Sequence, residues 1–284
     1  MDWILRKRPG NRTDGICRRR VSVDQKSVWV GTNWKMNKGP GEAIAAADAL
    51  ASFKLPEGVR AFVTPPLTSL KDVASILQDS PVMVGAQTMY WEDSGAWTGE
   101  VSAPMIAECG ASCVLLGHSE RRQNFGETDW TVNRKVQAAL RHGLRPLICI
   151  GDLLDEYEAG VSQETLARQT KIALNGLSRE DLRQVVVIYE PVWAIGSSGR
   201  PADPPFVSEI HTKLRSVVEE IAGHDGSIRI PLLYGGSVSR ANIRDYVALS
   251  DVDGVLIGRA GWDPEDFMSL IASVGDLVSV KAGA

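Results

Sequence analysis

From residue 28 onward, short apolar runs alternate with longer segments of helical spacing. Eight runs stand out: VWVGTN (28–33), VRAFVT (59–64), VMVGAQ (82–87), CVLLGH (113–118), RPLICIG (145–151), VVVIYE (185–190), IPLLYGG (230–236) and DGVLIGR (253–259). Each is brief and rich in Val, Ile and Leu, as a strand covered on both faces must be. Between them lie amphipathic stretches such as GEAIAAADALASF (41–53), TDWTVNRKVQAALRHG (128–143) and SEIHTKLRSVVEEIAG (208–223). In the last, Ile210, Leu214, Val217, Val218 and Ile221 fall on one helical face. Alternating strand and helix predict a parallel α/β sheet. Eight units without a linker or composition break predict a single closed (β/α)8 barrel over residues 28–284. An open doubly wound sheet is the alternative, weakened because no G-x-G-x-x-G follows the first run.

Composition narrows the classes of partner. No run of about 18 apolar residues is present, so no membrane span is expected. Residues 1–27 carry eight Lys/Arg and three Asp, a net of +5, which leaves −9 on the rest of a chain whose total is −4. An acidic body argues against nucleic acid as a partner. The basic head lacks the apolar core of a secretory signal, and serine is too scarce there for a good transit peptide. It reads as a disordered extension or a start set too far upstream, with translation beginning near Val21, Val23 or Val28. The cysteines, Cys17, Cys109, Cys113 and Cys149, show no metal-binding spacing. They read as free thiols, which fits a cytoplasmic protein.

A barrel gathers its chemistry at the C-terminal ends of its strands. The runs end in Asn33 and Lys35, Gln87, His118 and Glu120, Asp152, Glu190, and the turns at 235–237 and 258–259. Glu190 stands against Pro191, ahead of Trp193, a GSSG segment and prolines 201, 204 and 205. That is a carboxylate under a segment hinged at both ends. Moving a proton between carbons beside a carbonyl needs a base, an electrophile and positive charge for the enediolate. Glu190, His118 and Lys35 supply those types. The bland readings are a core histidine at a strand end and a solvated lysine; the contexts HSERR and NWK weigh against both. Glycine-rich turns opening into helices present N–H groups to phosphate. Gly196, Gly236, Ser237 and Gly258 are the candidates.

The chain resembles the triosephosphate isomerase family. The resemblance is carried by TNWKMNK (32–38), GAWTGEVS (95–102), LGHSERR (116–122), FGET (125–128), CIGD (149–152), YEPVWAIG (189–196) and YGGSV (234–238). They lie in order on seven of the eight units. It implies a TIM barrel that isomerises a small sugar phosphate without metal or organic cofactor. It implies Glu190 as base, His118 as electrophile, Asn33 beside the enediolate, Lys35 as charge and Glu120 as its orienting partner. Arg121 and Arg122 are expected to be structural, pairing carboxylates such as Glu127. Residues 90–100, YWEDSGAWTGE, are expected to form an exposed aromatic loop that builds a homodimer, with Thr98 nearing Asn33 of the partner subunit and Glu120 of the partner subunit.

Three departures cluster at the lid and phosphate cup. The lid SSGRPADPP lacks the usual lysine and is about one residue longer; Arg259 replaces the second glycine of V-G-G-A; Asp152 replaces a glutamate. The catalytic NWK, HSE and YEP are intact. Retained chemistry with an altered cup is what a change of substrate looks like. The pattern resembles the family's L-erythrulose-1-phosphate isomerase branch. Gly199, Arg200, Pro201 and Ala202 match its lid, and Ile257, Gly258, Arg259, Ala260, Gly261 and Trp262 match its last turn. The reaction implied converts L-erythrulose 1-phosphate to D-erythrulose 4-phosphate, with Arg259 added to the phosphate contacts. Triose phosphate isomerisation is the alternative. A non-catalytic scaffold is disfavoured because Lys35, His118 and Glu190 are all present.

Overall fold

Eight parallel strands close into a barrel in the computed structural model, which describes residues 27–196, 201–224 and 226–282. They are β1 (Val28–Asn33), β2 (Val59–Thr64), β3 (Met83–Ala86), β4 (Cys113–Leu116), β5 (Arg145–Ile150), β6 (Val186–Tyr189), β7 (Leu232–Tyr234) and β8 (Gly254–Ile257). Neighbours in sequence are neighbours in the sheet, and β8 returns to pair with β1. That closure excludes the open doubly wound sheet. Every strand lies inside its predicted run. The glycine-rich or polar tails, such as Gln87, Gly151, Glu190 and residues 235–236, leave the ladder and become the turns of the mouth.

The helices are α1 (Pro40–Ala51), α2 (Leu70–Ile76), α3 (Ala103–Glu108), α4 (Ser119–Phe125), α5 (Asp129–Arg141) and α6 (Leu154–Glu158). They continue as α7 (Ser162–Ala173), α8 (Arg179–Leu182), α9 (Pro204–Ala222), α10 (Ile243–Val247) and α11 (Pro264–Ala282). Thr128 caps α5, its hydroxyl accepting the Thr131 N–H at 3.2 Å. Helix α9 begins four residues before its predicted stretch. Pro204 and Pro205 fill its first turn, where N–H groups have no intrahelical acceptor and proline costs nothing.

The strands are buried on both faces, which is why they read as continuous apolar runs. One set, including Trp29, Phe62, Leu115, Cys149, Ile188 and Leu256, forms the barrel interior. The alternate set, including Val30, Val63, Leu116, Ile150, Val187 and Ile257, packs under the helices. The interior is filled: a Cβ on Gly31 would lie 1.9 Å from the Phe62 ring. Along the barrel axis a ligand therefore has room only at the mouth. Counting by twos from Trp29 reaches Asn33, and from Val186 reaches Glu190, so both project inward at the strand ends.

Of the head at 1–27 only Ser27 is described, so the expectations for that extension and for Cys17 lie outside the described residues. Gly199 and Arg200 of the lid lie outside them too. Among the described residues no helix is long and apolar enough to cross a membrane.

Candidate active site

Lys35 sits two residues beyond β1 with φ +52°, a left-handed conformation that costs a non-glycine residue roughly 1 kcal/mol or more. Its surroundings hold it there. Its N–H donates to Asn33 Oδ1 at 2.9 Å. Its carbonyl accepts from Gln87 Nε2 at 2.8 Å, and the same amide donates to the Thr64 carbonyl at 3.0 Å. Its Nζ meets Glu120 Oε1 at 2.7 Å. The backbone is set by three strand ends and the ammonium by α4.

His118 follows β4 and serves as the N-cap of α4, with Nδ1 accepting the Glu120 N–H at 3.3 Å. A ring nitrogen that accepts carries no proton, so Nε2 bears it. That Nε2 lies 3.2 Å from Glu190 Oε1. The other carboxylate oxygen accepts the Ser119 N–H at 2.9 Å. Glu190 is only 2% exposed. Its seat depends on two glycines. A Cβ on Gly151 would fall 2.2 Å from the Glu190 carbonyl, and one on Gly235 3.0 Å from its Cγ.

These groups share one small cleft of about 40 Å³. Asn33, Lys35, His118 and Glu190 form its reactive side. Gly235, Gly236 and Gly258 form a backbone-rich side, and Ile195, Leu256 and Ile257 an apolar wall. Glu120, Ser237, Gly196 and Arg259 are not part of this lining. Glu120 stands behind Lys35; Ser237 is half-buried, with its carbonyl accepting from Asn242 Nδ2 at 3.1 Å. Gly196 (φ +98°) and Arg259 are exposed at the rim. A larger cavity of about 350 Å³ opens behind Glu190. Its cations are already matched, since Asp129 takes Arg122 at 2.6 Å and Arg168 at 3.3 Å. It is a poor place for a phosphate. Among the described residues no cluster of three or more His, Cys, Asp or Glu could hold a metal ion.

Two carboxylates organise the surroundings. Glu127 accepts Arg121 Nε at 2.6 Å, Lys135 Nζ at 2.5 Å and the Gly117 N–H at 3.1 Å, which fixes the residue before His118. Burial raises its carboxyl, but Lys135 and Arg121 overcome that and hold it below the ordinary range. Arg122 instead pairs with Asp129, so both arginines are structural as expected. Asp152, fully buried, receives the Tyr189 hydroxyl (2.9 Å), the Ser162 hydroxyl (2.7 Å) and the Trp193 indole N–H (3.1 Å). The front of the lid is thus tied to β6. Trp193 also stacks on Tyr157, with ring centroids 4.2 Å apart, and meets Phe206 edge-on at 5.6 Å. At the rear, Tyr246 donates its hydroxyl to the Ala202 carbonyl at 2.7 Å.

The aromatic loop is exposed over most of its length, with its first two rings partly covered. Tyr90 stacks on Trp91 at 4.0 Å and leans on Trp97 at 4.8 Å. Tyr90 and Trp91 are half-buried, and residues 92–100, Trp97 and Thr98 among them, are exposed. Cys113 and Cys149 are buried free thiols, and burial pushes Cys113 up to about 12. Cys109 is a half-buried free thiol.

Sequence reading passed over Thr64, Gln87 and Trp262 as site-forming residues. Gln87 carried a signal, since it ends a strand as Asn33 and Glu190 do. Trp262 carried only its match to the branch's last turn, and nothing there pointed to its indole N–H donating to the Asn33 carbonyl at 2.9 Å.

The triosephosphate isomerase family model matches residues 28–274. An L-erythrulose-1-phosphate isomerase of Rhizobium rhizogenes (strain K84) is 45% identical over 247 residues, covering 86% of this chain and 93% of that protein. One from Rhizobium etli is 46% identical over 250 residues, covering 87% and 92%. A triosephosphate isomerase of Caldanaerobacter subterraneus subsp. tengcongensis is 41% identical over 242 residues, covering 85% and 97%.

Proposed function

The chain belongs to the triosephosphate isomerase family, and from that premise we propose that it isomerises L-erythrulose 1-phosphate to D-erythrulose 4-phosphate. The observation that carries this reading is the meeting of Glu190, His118 Nε2, Lys35 and Asn33 in one cleft beside the Gly236 and Gly258 turns. The similarity to relatives named for that substrate supports the four-carbon choice.

On this reading the phosphate lies against the N–H groups near Gly236, Ser237, Gly258 and Gly196, with Lys35 and Arg259 adding positive charge. The lid, from Pro191 to about Ala202, closes and excludes water. Glu190 turns from the Ser119 N–H and takes the proton from C3. The electron pair of that C–H bond forms the C2–C3 double bond, and the carbonyl electrons move onto O2. His118 gives O2 its Nε2 proton and takes one from O3. Glu190 returns its proton to C2, which leaves the carbonyl at C3. Nothing is oxidised overall, and no cofactor enters the step.

The added hydroxymethyl group sits on the carbon that loses its proton, so base, electrophile and phosphate cup keep their places. A difference of one small group in a pocket is worth about 1–3 kcal/mol. A second reading, isomerisation of triose phosphates in glycolysis and gluconeogenesis, is favoured by the Caldanaerobacter relative's name. On the first reading the enzyme serves erythritol catabolism. Buried free thiols fit a cytoplasmic setting. Exposed Trp97 and Thr98 support a homodimer through residues 90–100, with Thr98 reaching Asn33 of the partner subunit.

The test compares kcat/KM for L-erythrulose 1-phosphate and dihydroxyacetone phosphate on one preparation whose mass is followed by light scattering. The expected result is a dimer that favours the four-carbon substrate by about 100-fold or more, roughly 2.7 kcal/mol of transition-state discrimination. A preference for the triose hands the function to the second reading. A fully active monomer removes the dimer.

A further inference from the structure

The turn after β8 is tied to the turn after β1 by side chains. The β1–β8 ladder ends at the pair Thr32 and Ile257. Beyond it, Asn33 and Lys35 continue on one side, Gly258 and Arg259 on the other. Two hydrogen bonds bridge them past the ladder. Thr32 Oγ1 donates to the Gly261 carbonyl at 3.1 Å, and Trp262 Nε1 donates to the Asn33 carbonyl at 2.9 Å. The chains approach so closely that a Cβ on Gly261 would lie 2.8 Å from Thr32 Oγ1. The Trp262 ring is half-buried against the core, where its N–H needs an acceptor.

Asn33 is consequently held at both ends. Trp262 takes its carbonyl. Its side-chain oxygen accepts the Lys35 N–H at 2.9 Å and the Thr64 hydroxyl at 3.3 Å. Lys35, in its left-handed conformation, is the residue that the tie steadies.

We propose that Trp262 is a positioning residue: its indole hydrogen bond to Asn33 sets the spacing between the phosphate turn at Gly258 and the Lys35–Asn33 pair. The inference rests on reading the cleft as a sugar-phosphate isomerase site. Such a substrate is gripped at its phosphate and at its oxygens by groups on different strands. The grip is productive only if the two ends are held at the right separation. A misplacement of about 1 Å costs on the order of 100-fold in rate.

Trp262→Phe keeps the ring and removes the donor. In this variant kcat falls about 10- to 100-fold. The inhibition constant for inorganic phosphate, which engages the Gly236 and Gly258 end alone, stays within about twofold, because no phosphate contact has been removed. Amide exchange at the Lys35 N–H, read by NMR, rises about tenfold, the worth of one lost hydrogen bond. Thr32→Val removes the companion donor, gives the same pattern, and carries the test if W262F does not fold. Unchanged Lys35 exchange overturns the tie. Faster exchange with unchanged kcat overturns the positioning role, and so does phosphate inhibition that weakens in step with kcat, which marks general loosening. A wild-type protein that turns over neither sugar phosphate sinks the functional reading, while the exchange measurement still decides the tie.

Discussion

Glu190 is the residue on which the proposed chemistry depends most. It is nearly sealed from solvent, yet one oxygen faces His118 Nε2 at 3.2 Å and the other rests on the Ser119 N–H. A carboxylate parked on a single backbone N–H can leave it at modest cost, about 1.5–3 kcal/mol for a bond to a charged group. Glu190→Gln keeps the size and removes the basicity. Its kcat/KM is expected to drop about 10³-fold, within the range of general base catalysis, with unchanged circular dichroism. A loss of less than about tenfold would show that the proton goes elsewhere. The residue types at this site were readable from the sequence. The left-handed Lys35 was not, because its backbone is held by Gln87, itself anchored on Thr64, on other units.

The lid is controlled at the scale of elements. Its front hinge is the turn after β6, where Trp193 is pinned by the Asp152 carboxylate and packed between Tyr157 of α6 and Phe206 of α9. Tyr157 is 39% exposed, so its removal leaves the core intact. An aromatic pair contributes about 0.5–1.5 kcal/mol beyond burial. Tyr157→Ala is therefore expected to raise KM about 3- to 10-fold by loosening the hinge on which closure turns, with a change in Trp193 fluorescence. Unchanged KM and emission would mean that Asp152 alone holds the hinge. The helix–strand alternation was legible for every unit, but the start of α9 was not. Its first turn is two prolines, which in a sequence read as loop.

Across the whole molecule, acid sensitivity should come from the far side of the barrel wall. His211 is fully buried. Burial lowers it from 6.5 to about 4, against the opposing pull of the Asp251 carbonyl and Asp253, with Arg215 nearby reinforcing the fall. The folded chain keeps this ring neutral where the unfolded chain takes up a proton. Stability is thus unaffected above 6.5 and declines as pH falls from there to about 4, a loss of about 3 kcal/mol. Glu127, held low, adds a loss of its own as pH falls below the ordinary carboxylate range and its ion pairs are given up. Urea unfolding at about pH 7 and pH 4 should give a smaller drop for His211→Leu than for the wild type. An equal drop would place the acid-sensitive group elsewhere.

By itself the sequence determined the number and order of the strands, the closed-barrel class, the family and the residue types available for catalysis. Those properties are local: apolar runs, helical spacing and contiguous motifs such as NWK, HSERR and YEPVW survive in one dimension. Only the tertiary structure decided which face of each strand looks inward. Both faces are apolar in a parallel barrel, so the alternation that would mark the phase is absent from the sequence. It also decided that Asp152 gathers donors from Ser162, Tyr189 and Trp193, and that Trp262 reaches Asn33 across 229 positions of chain. The last of these contacts exists because β8 closes against β1. Closure brings the two ends of the barrel together, and no local pattern encodes a contact between residues that only closure makes neighbours.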